Sequence, residues 1–200
     1  MVPTMVASLV EPSTAPMRRR STRLRWISLP WTASLVPPVA AVVRGACPED
    51  APSIREMVTR CSAEVLHQRF LAPVEDVSAG TLRDLLTTEV GFVARDPAGR
   101  TVGVANLGAA DPRTAELALV VEDACSGAGL EQAMLGHLVA SAHLLGFKAA
   151  VLRSLPSSVW GQRTLSRLGP VQITSVPGGP RVSRLRLSPS VMGAARGSFG

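Results

Sequence analysis

The stretch from Thr114 to Leu145 constrains the fold most, because it changes from a strand pattern to a helix pattern across a glycine-containing loop. The segment "TAELALVVED" (114–123) predicts a strand, and the loop "CSGAG" (125–129) follows it. A helical repeat of apolar residues then ends at Leu145. Its predicted buried face comprises Leu130, Met134, Leu138, Ala142 and Leu145. Such a loop presents backbone N–H groups at a helix N-terminus, where anions bind favourably.

Hydrophobic periodicity and turn residues predict the remaining elements. Strands are predicted over 39–46, in the hairpin 90–110, and over 148–155, 171–176 and 181–188. Helices are predicted within 47–66, 78–88 and 157–169. The first helix has Asp50 as its N-cap, and its buried face comprises Ile54, Val58, Cys61 and Val65. This order predicts an α/β fold with a mixed, largely antiparallel sheet and helices on both faces.

The chain ends differ from the predicted domain in composition. Residues 1–37 show no hydrophobic period, so we predict a disordered, arginine-rich arm there, a single domain over 38–188 and a flexible tail over 189–200. The arm could contact nucleic acid or an anionic membrane, but a solvated tail is the simpler interpretation. Prolines interrupt the apolar part of 17–43, which is also too short to span a bilayer. The three cysteines are widely spaced and suit no zinc site, so we predict a reduced cytoplasmic protein without a metal.

Charge is distributed unevenly along the chain. Residues 45–131 carry fourteen acidic side chains against seven arginines, whereas residues 132–200 carry eight basic side chains and no acidic one. The second half of the domain is therefore expected to attract anions such as a phosphorylated ligand or nucleic acid. A basic surface without a ligand is the alternative.

Three stretches resemble the GCN5-related N-acetyltransferase (GNAT) superfamily, and the likeness extends over about 39–188. The segment "VVRGACPEDAPSIREM" is similar to the first strand and helix of that family, and "AELALVVEDACSGAGLEQAML" to its central strand, acyl-CoA loop and long helix. The segment "LSRLGP" is similar to the end of its last helix. A weaker likeness, through "AELALVVED" and "CSAEVLHQRF", is to the bacterial protein-lysine acetyltransferase branch.

This resemblance implies a site for acetyl-CoA between two central strands. The backbone groups of Val120 and Val121 would pair with the pantetheine arm, and Ser158 aligns near an asparagine that contacts pantetheine. Glu116 would be the general base, directly or through water. A solvent-facing carboxylate that takes no part in the chemistry is the other interpretation of Glu116.

The pyrophosphate loop by resemblance is residues 126–131, and it departs from the family pattern of Gln/Arg-x-x-Gly-x-Gly/Ala. Its members are Ser126, Gly127, Ala128, Gly129, Leu130 and Glu131. The two glycines match, but Ser126 replaces a long polar side chain, Ala128 an often basic residue and Glu131 a small one. Glu131 would either complement the helix dipole or repel the pyrophosphate.

The residue that acts as general acid in the family is absent from this sequence. The family's tyrosine aligns with Leu165, and the chain contains no tyrosine. Arg163 and Arg167 could face CoA phosphates or form a solvated basic face. Cys125 could be a reactive thiolate at the helix start or a buried packing residue.

The resemblance implies an acyl-CoA-dependent N-acyltransferase that transfers an acetyl group to a primary amine. The amine would belong to a small molecule or a protein lysine. The alternative is a GNAT-like binding or regulatory module that no longer catalyses, and the missing tyrosine and the departures at Ser126 and Glu131 favour it.

Overall fold

The computed structural model describes residues 41–72, 90–127, 129–175 and 177–188. The arm predicted over 1–37, the helix predicted over 78–88 and the tail predicted over 189–200 lie outside these residues, as does Ala128.

The described residues form seven strands and four helices, with boundaries close to those predicted. The strands are β1 (Val42–Gly45), β2 (Val90–Arg95), β3 (Thr101–Asp111), β4 (Thr114–Val121), β5 (Ala149–Ser154), β6 (Val171–Ser175) and β7 (Arg181–Arg186). The helices are α1 (Ala51–Arg60), α2 (Ala63–Phe70), α3 (Leu130–Leu144) and α4 (Trp160–Ser166). Short 3-10 turns, Pro48–Asp50 and Asp123–Cys125, precede α1 and the loop before α3.

All seven strands belong to one sheet, in the order β1-β2-β3-β4-β5-β7-β6. Every neighbouring pair is antiparallel except β4 and β5, which run parallel. A parallel pair needs a crossover connection, and α3 provides it. The sheet is therefore mixed and largely antiparallel, as predicted.

Helices cover both faces of this sheet. Helices α3 and α4 pack on the face that carries Leu117, Leu119 and Val121, where the larger apolar cluster lies. Helices α1 and α2 pack over β3 and β4 on the opposite face, in a second cluster that includes Val104 and Val120. Side chains alternate between the two faces along β4, and its pairing with β3 runs from Ala115 to Val121 without a bulge.

The prediction of a helix within 47–66 was wrong in its continuity. Helix α1 ends at Arg60, since Cys61 is extended, and Ser62 begins α2 by accepting the Val65 N–H at 3.3 Å. Of the predicted face, Ile54 and Val58 are buried, but Cys61 and Val65 are only partly buried.

Of two predictions about helix ends, one is confirmed in position and the other was wrong. Asp50 is the N-cap residue of α1, as predicted, but its side chain makes no capping bond to α1 and accepts hydrogen bonds from the Cys47 N–H and two arginines instead. Leu145 lies beyond the end of α3 and is exposed, whereas the other four predicted face residues are fully buried. Gly146 follows with a φ of 89°, which agrees with the predicted helix stop.

Candidate functional site

The central strands β4 and β5 diverge halfway along their length. They pair only from Thr114 to Leu117 and from Ala149 to Leu152, although both strands continue further. Beyond that point, the side of β4 that faced β5 has no strand partner in the described structure. A cleft of about 190 Å³ opens here, lined by Val65, Gln68, Arg69, Leu119, Val121, Ser126, Glu131 and Trp160.

The loop between β4 and α3 folds around the chain's own carboxylate. Gly127 and Gly129 have φ values of 77° and 89°, which glycine adopts at little cost. The Glu131 side chain is 7% exposed, and its Oε1 accepts hydrogen bonds from Ser126 Oγ at 2.7 Å and from the Gly127 N–H at 3.0 Å. Glu131 therefore points into the loop, and it binds donors of the kind that an external anion would use.

The other residues expected to bind acetyl-CoA surround this cleft or lie in the core beside it. Val121 lines the cleft, whereas the Val120 side chain is buried beneath α1 and α2. Leu130 is fully buried at the start of α3. Ser158 is 9% exposed, and its Oγ accepts the Trp160 N–H at 3.3 Å at the beginning of α4.

Glu116 lies on β4 on the sheet face that α1 and α2 cover farther along. One carboxylate oxygen is 3.0 Å from Arg153 Nε, and the Glu116 side chain is 38% exposed. The register pairs Glu116 with Val151 on β5, and Val151 with Arg184 on β7. Since rows of paired residues share a face, Glu116 and Arg184 lie on the same face of the sheet.

Arg69 approaches the same face from α2. Its Nη2 donates to Asn106 Oδ1 at 2.8 Å, and its guanidinium carbon lies 5.1 Å from the centre of the Phe70 ring. The Nε–H is shielded from solvent and has no hydrogen-bond partner. Among the described residues, no carboxylate lies within ion-pair distance of this guanidinium. Burial lowers the pKa of Arg69 to about 10, although the charge of Glu116 partly opposes this shift.

Sequence reasoning did not find Arg69, Asn106 or Trp160. Arg69 lies on a short helix whose position depends on the break at Cys61, and the Asn106 contact joins residues that are distant in sequence. Trp160 is the α4 residue that lines the cleft. Leu165, which aligns with the family's tyrosine, is fully buried in the core instead.

Other candidates from the sequence lie away from the cleft or are unreactive. Arg163 and Arg167 are exposed and are not among the cleft-lining residues. Cys125 is buried, and desolvation together with Glu122 raises the pKa of its thiol, which favours the packing interpretation. Desolvation raises the pKa of Cys61 to about 11.

The opposite ends of β4 and β5 border an open groove of about 820 Å³. Its lining includes four basic side chains, from Arg113, Lys148, Arg184 and Arg186, and one acidic side chain, from Asp111. Part of the positive charge of the second half of the domain is therefore concentrated at this groove. No helix in the described ranges is both long and apolar enough to cross a membrane.

No family model matches the sequence. The chain is 27% identical over 126 residues to the acetyltransferase PA5475 of Pseudomonas aeruginosa, a match that covers 59% of this chain and 68% of that protein. Among solved structures, it is similar to the GNAT domain of S. lividans PAT, with a TM-score of 0.67 and 24% identity over 74% of this chain and 90% of that one.

Two further similar structures contain acetyl-CoA. They are yncA of Salmonella typhimurium, a putative acetyltransferase (TM-score 0.58, 22% identity, 75% and 95% coverage), and the phosphinothricin acetyltransferase of Sinorhizobium meliloti (TM-score 0.60, 22% identity, 74% and 89% coverage). The mixed sheet, the divergence of β4 from β5 and these similarities agree with the expectation from the sequence. The chain has the fold of the GCN5-related N-acetyltransferase superfamily.

Proposed function

We propose that the chain is an acyl-CoA-dependent N-acyltransferase, which transfers an acetyl group from acetyl-CoA to a primary amine of a small molecule or a protein lysine. The observation that carries this proposal is the divergence of β4 from β5, because it opens a cleft that leads to a glycine loop and a helix N-terminus. The proposal is supported by the similar structures that contain acetyl-CoA and by the similarity to the acetyltransferase PA5475. The three free thiols are consistent with a cytoplasmic location.

The residues of the cleft suit the chemical character of the donor. Leu119, Val121 and Trp160 provide an apolar lining for a narrow pantetheine arm, with which the backbone of Val120 and Val121 would pair. Ser158 would contact the same arm. Acetyl-CoA supplies the acetyl group as a thioester.

The loop residues 126–131 would hold the pyrophosphate. Their suitability for an anion is supported by the bonds that Ser126 Oγ and the Gly127 N–H make to Glu131. The remaining N–H groups at the start of α3 would add to this site. The Glu131 side chain would have to turn out of the loop before the pyrophosphate could accept hydrogen bonds from Ser126 Oγ and the Gly127 N–H.

Glu116 is the proposed general base. It would take the proton from the amine, directly or through water, so that the neutral amine attacks the thioester carbonyl. Arg153 keeps the Glu116 carboxylate oriented on the sheet face at 3.0 Å. Because the chain has no tyrosine, water would protonate the leaving thiolate.

The alternative is a GNAT-like binding or regulatory module without catalytic activity. The buried Glu131 carboxylate favours this alternative. It accepts the hydrogen bonds of Ser126 Oγ and the Gly127 N–H, which the pyrophosphate of acetyl-CoA would otherwise accept. Two like charges about 4 Å apart repel each other by roughly 4 kcal/mol at an effective dielectric constant of 20.

Calorimetric titration with acetyl-CoA of the wild type and of Glu131→Gln tests both functions. We expect the variant to bind acetyl-CoA about tenfold more tightly or better, because a negative charge has been removed from the loop. The control is Glu56→Gln, since Glu56 is exposed on α1 and should leave the affinity unchanged. Failure of both forms to bind would contradict the acetyltransferase proposal, and binding by the variant alone would favour the module.

Thioester consumption with a panel of primary amines is the second measurement. We expect Glu116→Gln to lower kcat about 100-fold or more while the acetyl-CoA affinity stays the same. Turnover by the wild type would contradict the inactive module.

A further inference from the structure

Among the residues that the structure describes, the Arg69 guanidinium has no counterion, which is unusual for a buried charge. Moving a charged side chain out of water is unfavourable unless it is paired and hydrogen-bonded. Within the described part of the chain its partners are one neutral amide, Asn106, and the ring of Phe70, while the Nε–H has none. Because Arg69 also lines the cleft, a molecule bound there would lie beside this side chain.

The Arg69 guanidinium lies close to the proposed general base. Asn106 pairs with Ala118 in the sheet, and Glu116 is two residues farther along β4 on the same face. Two residues along a strand correspond to about 7 Å. A small molecule that bridges the two side chains would therefore present a negative group to Arg69 and a positive group to Glu116.

The other charges on this face favour the same kind of ligand. Arg153 contacts Glu116, and Arg184 lies on the same face two strands away. Glu116 thus lies near several guanidinium groups, and their positive charge favours anions in this region.

We propose that the acceptor is an amine that also carries a carboxylate, as a free α-amino acid does, and that Arg69 binds the carboxylate while Glu116 receives the ammonium group. This inference rests on the proposed acetyltransferase function and names its substrate class. A guanidinium matches a carboxylate because both are planar and form parallel hydrogen bonds. A protein lysine has no carboxylate close to its amine, so it could not use Arg69 in this way.

The test compares matched acceptors with wild-type protein and with Arg69→Met. Each pair consists of an L-amino acid and its primary amide, with small, apolar and acidic side chains represented, and kcat/KM is measured for each. We expect the wild type to prefer the acids, and Arg69→Met to lower the ratio of acid to amide about 10- to 100-fold. Comparing the ratios of the two proteins removes the difference in intrinsic reactivity between the two amines.

Three controls accompany this comparison. Arg55→Met makes the same substitution at an exposed position of α1, and its ratio should equal that of the wild type. Thermal unfolding of both variants reports whether they fold. The third control is calorimetric titration of the preferred amino acid into protein without acetyl-CoA, which measures acceptor binding independently of turnover.

The outcomes separate this inference from the proposed function. Acetylation of acids and amides without preference would overturn the inference and leave the acetyltransferase proposal standing. A uniform loss of kcat for both acceptors in Arg69→Met would also overturn it, as would a loss of acetyl-CoA affinity in place of acceptor affinity. If wild-type protein binds amino acids and Arg69→Met does not, but no form turns them over, the result would contradict the proposed function and overturn the acceptor role, while it would show that Arg69 binds the carboxylate.

Discussion

Asp50 is a buried carboxylate that joins the start of α1 to the edge of the sheet. Its side chain is 1% exposed, and its oxygens accept hydrogen bonds from Arg44 on β1 at 2.8 Å and from Arg95 on β2 at 2.9 Å. The Cys47 N–H adds a third bond at 2.9 Å. The Arg44 guanidinium above all holds the pKa of Asp50 well below its usual range.

We expect Asp50→Asn to lower the free energy of unfolding by about 3 kcal/mol at pH 7, the low end of the range for breaking a buried pair. The low end applies because both arginine side chains are more than one third exposed. Urea denaturation measures this, with Glu64→Gln, an exposed carboxylate on α2, as a control that should change stability by about 0.5 kcal/mol or less.

The same experiment at several pH values checks the ionisation of Asp50. Its folded pKa is depressed, so its stabilisation is fully present above the unfolded pKa of about 3.9 and is lost as the pH falls toward the folded pKa. The advantage of the wild type over Asp50→Asn should therefore shrink below about pH 4. A difference that stays constant from pH 7 to pH 3 would be inconsistent with an ionised Asp50.

At the scale of elements, a residue with a left-handed backbone precedes α3. Gly129 precedes Leu130 with a φ of 89°, and it directs the chain from the loop into the helix. A Cβ atom at Gly129 would meet nothing within 4 Å, so the effect of a side chain there is confined to the backbone.

We expect Gly129→Ala to destabilise the fold by about 1–2 kcal/mol, which is the cost of a left-handed conformation for an L-residue. The matched control is Gly108→Ala in β3, where the Cβ also meets nothing within 4 Å and φ is not positive. That substitution should be neutral or slightly stabilising. Equal effects of the two substitutions in urea denaturation would show that the backbone conformation of Gly129 has no energetic role.

At the scale of the whole molecule, one sheet separates two apolar clusters. Val139 on α3 is fully buried in the larger cluster, and Ile54 on α1 is fully buried in the smaller one. Since β2, β3 and β4 contribute side chains to both clusters, neither can form without the shared strands.

We expect the described domain to unfold in one transition whichever cluster is weakened. Ile54→Val should lower stability by about 1 kcal/mol and Val139→Ala by about 2 kcal/mol. The double variant should show their sum within about 0.5 kcal/mol, because the residues lie on opposite faces. Far-UV circular dichroism in urea measures this, and two separate transitions in the double variant would refute a shared core.

Local chemistry decided much of what could be predicted. The alternation of Leu117, Leu119 and Val121 and the helical spacing from Leu130 to Ala142 placed β4 and α3 correctly, because these periods depend only on neighbouring residues. The turn between β2 and β3 and the loop that contains Gly127 and Gly129 were also predicted correctly, because their residue types reflect local backbone preferences.

Tertiary structure alone decided how the polar side chains are used. Asp50 suited a helix cap by local rules, but Arg95, distant in sequence, is near it only once β1 and β2 have paired. Arg69 reaches Asn106 because α2 packs over β4. The sequence alone determined the order of elements and their apolar faces, since short-range periodicity encodes both. The partners of the charged groups depend on distances that exist only in the folded chain, where burial makes an unpaired charge unfavourable.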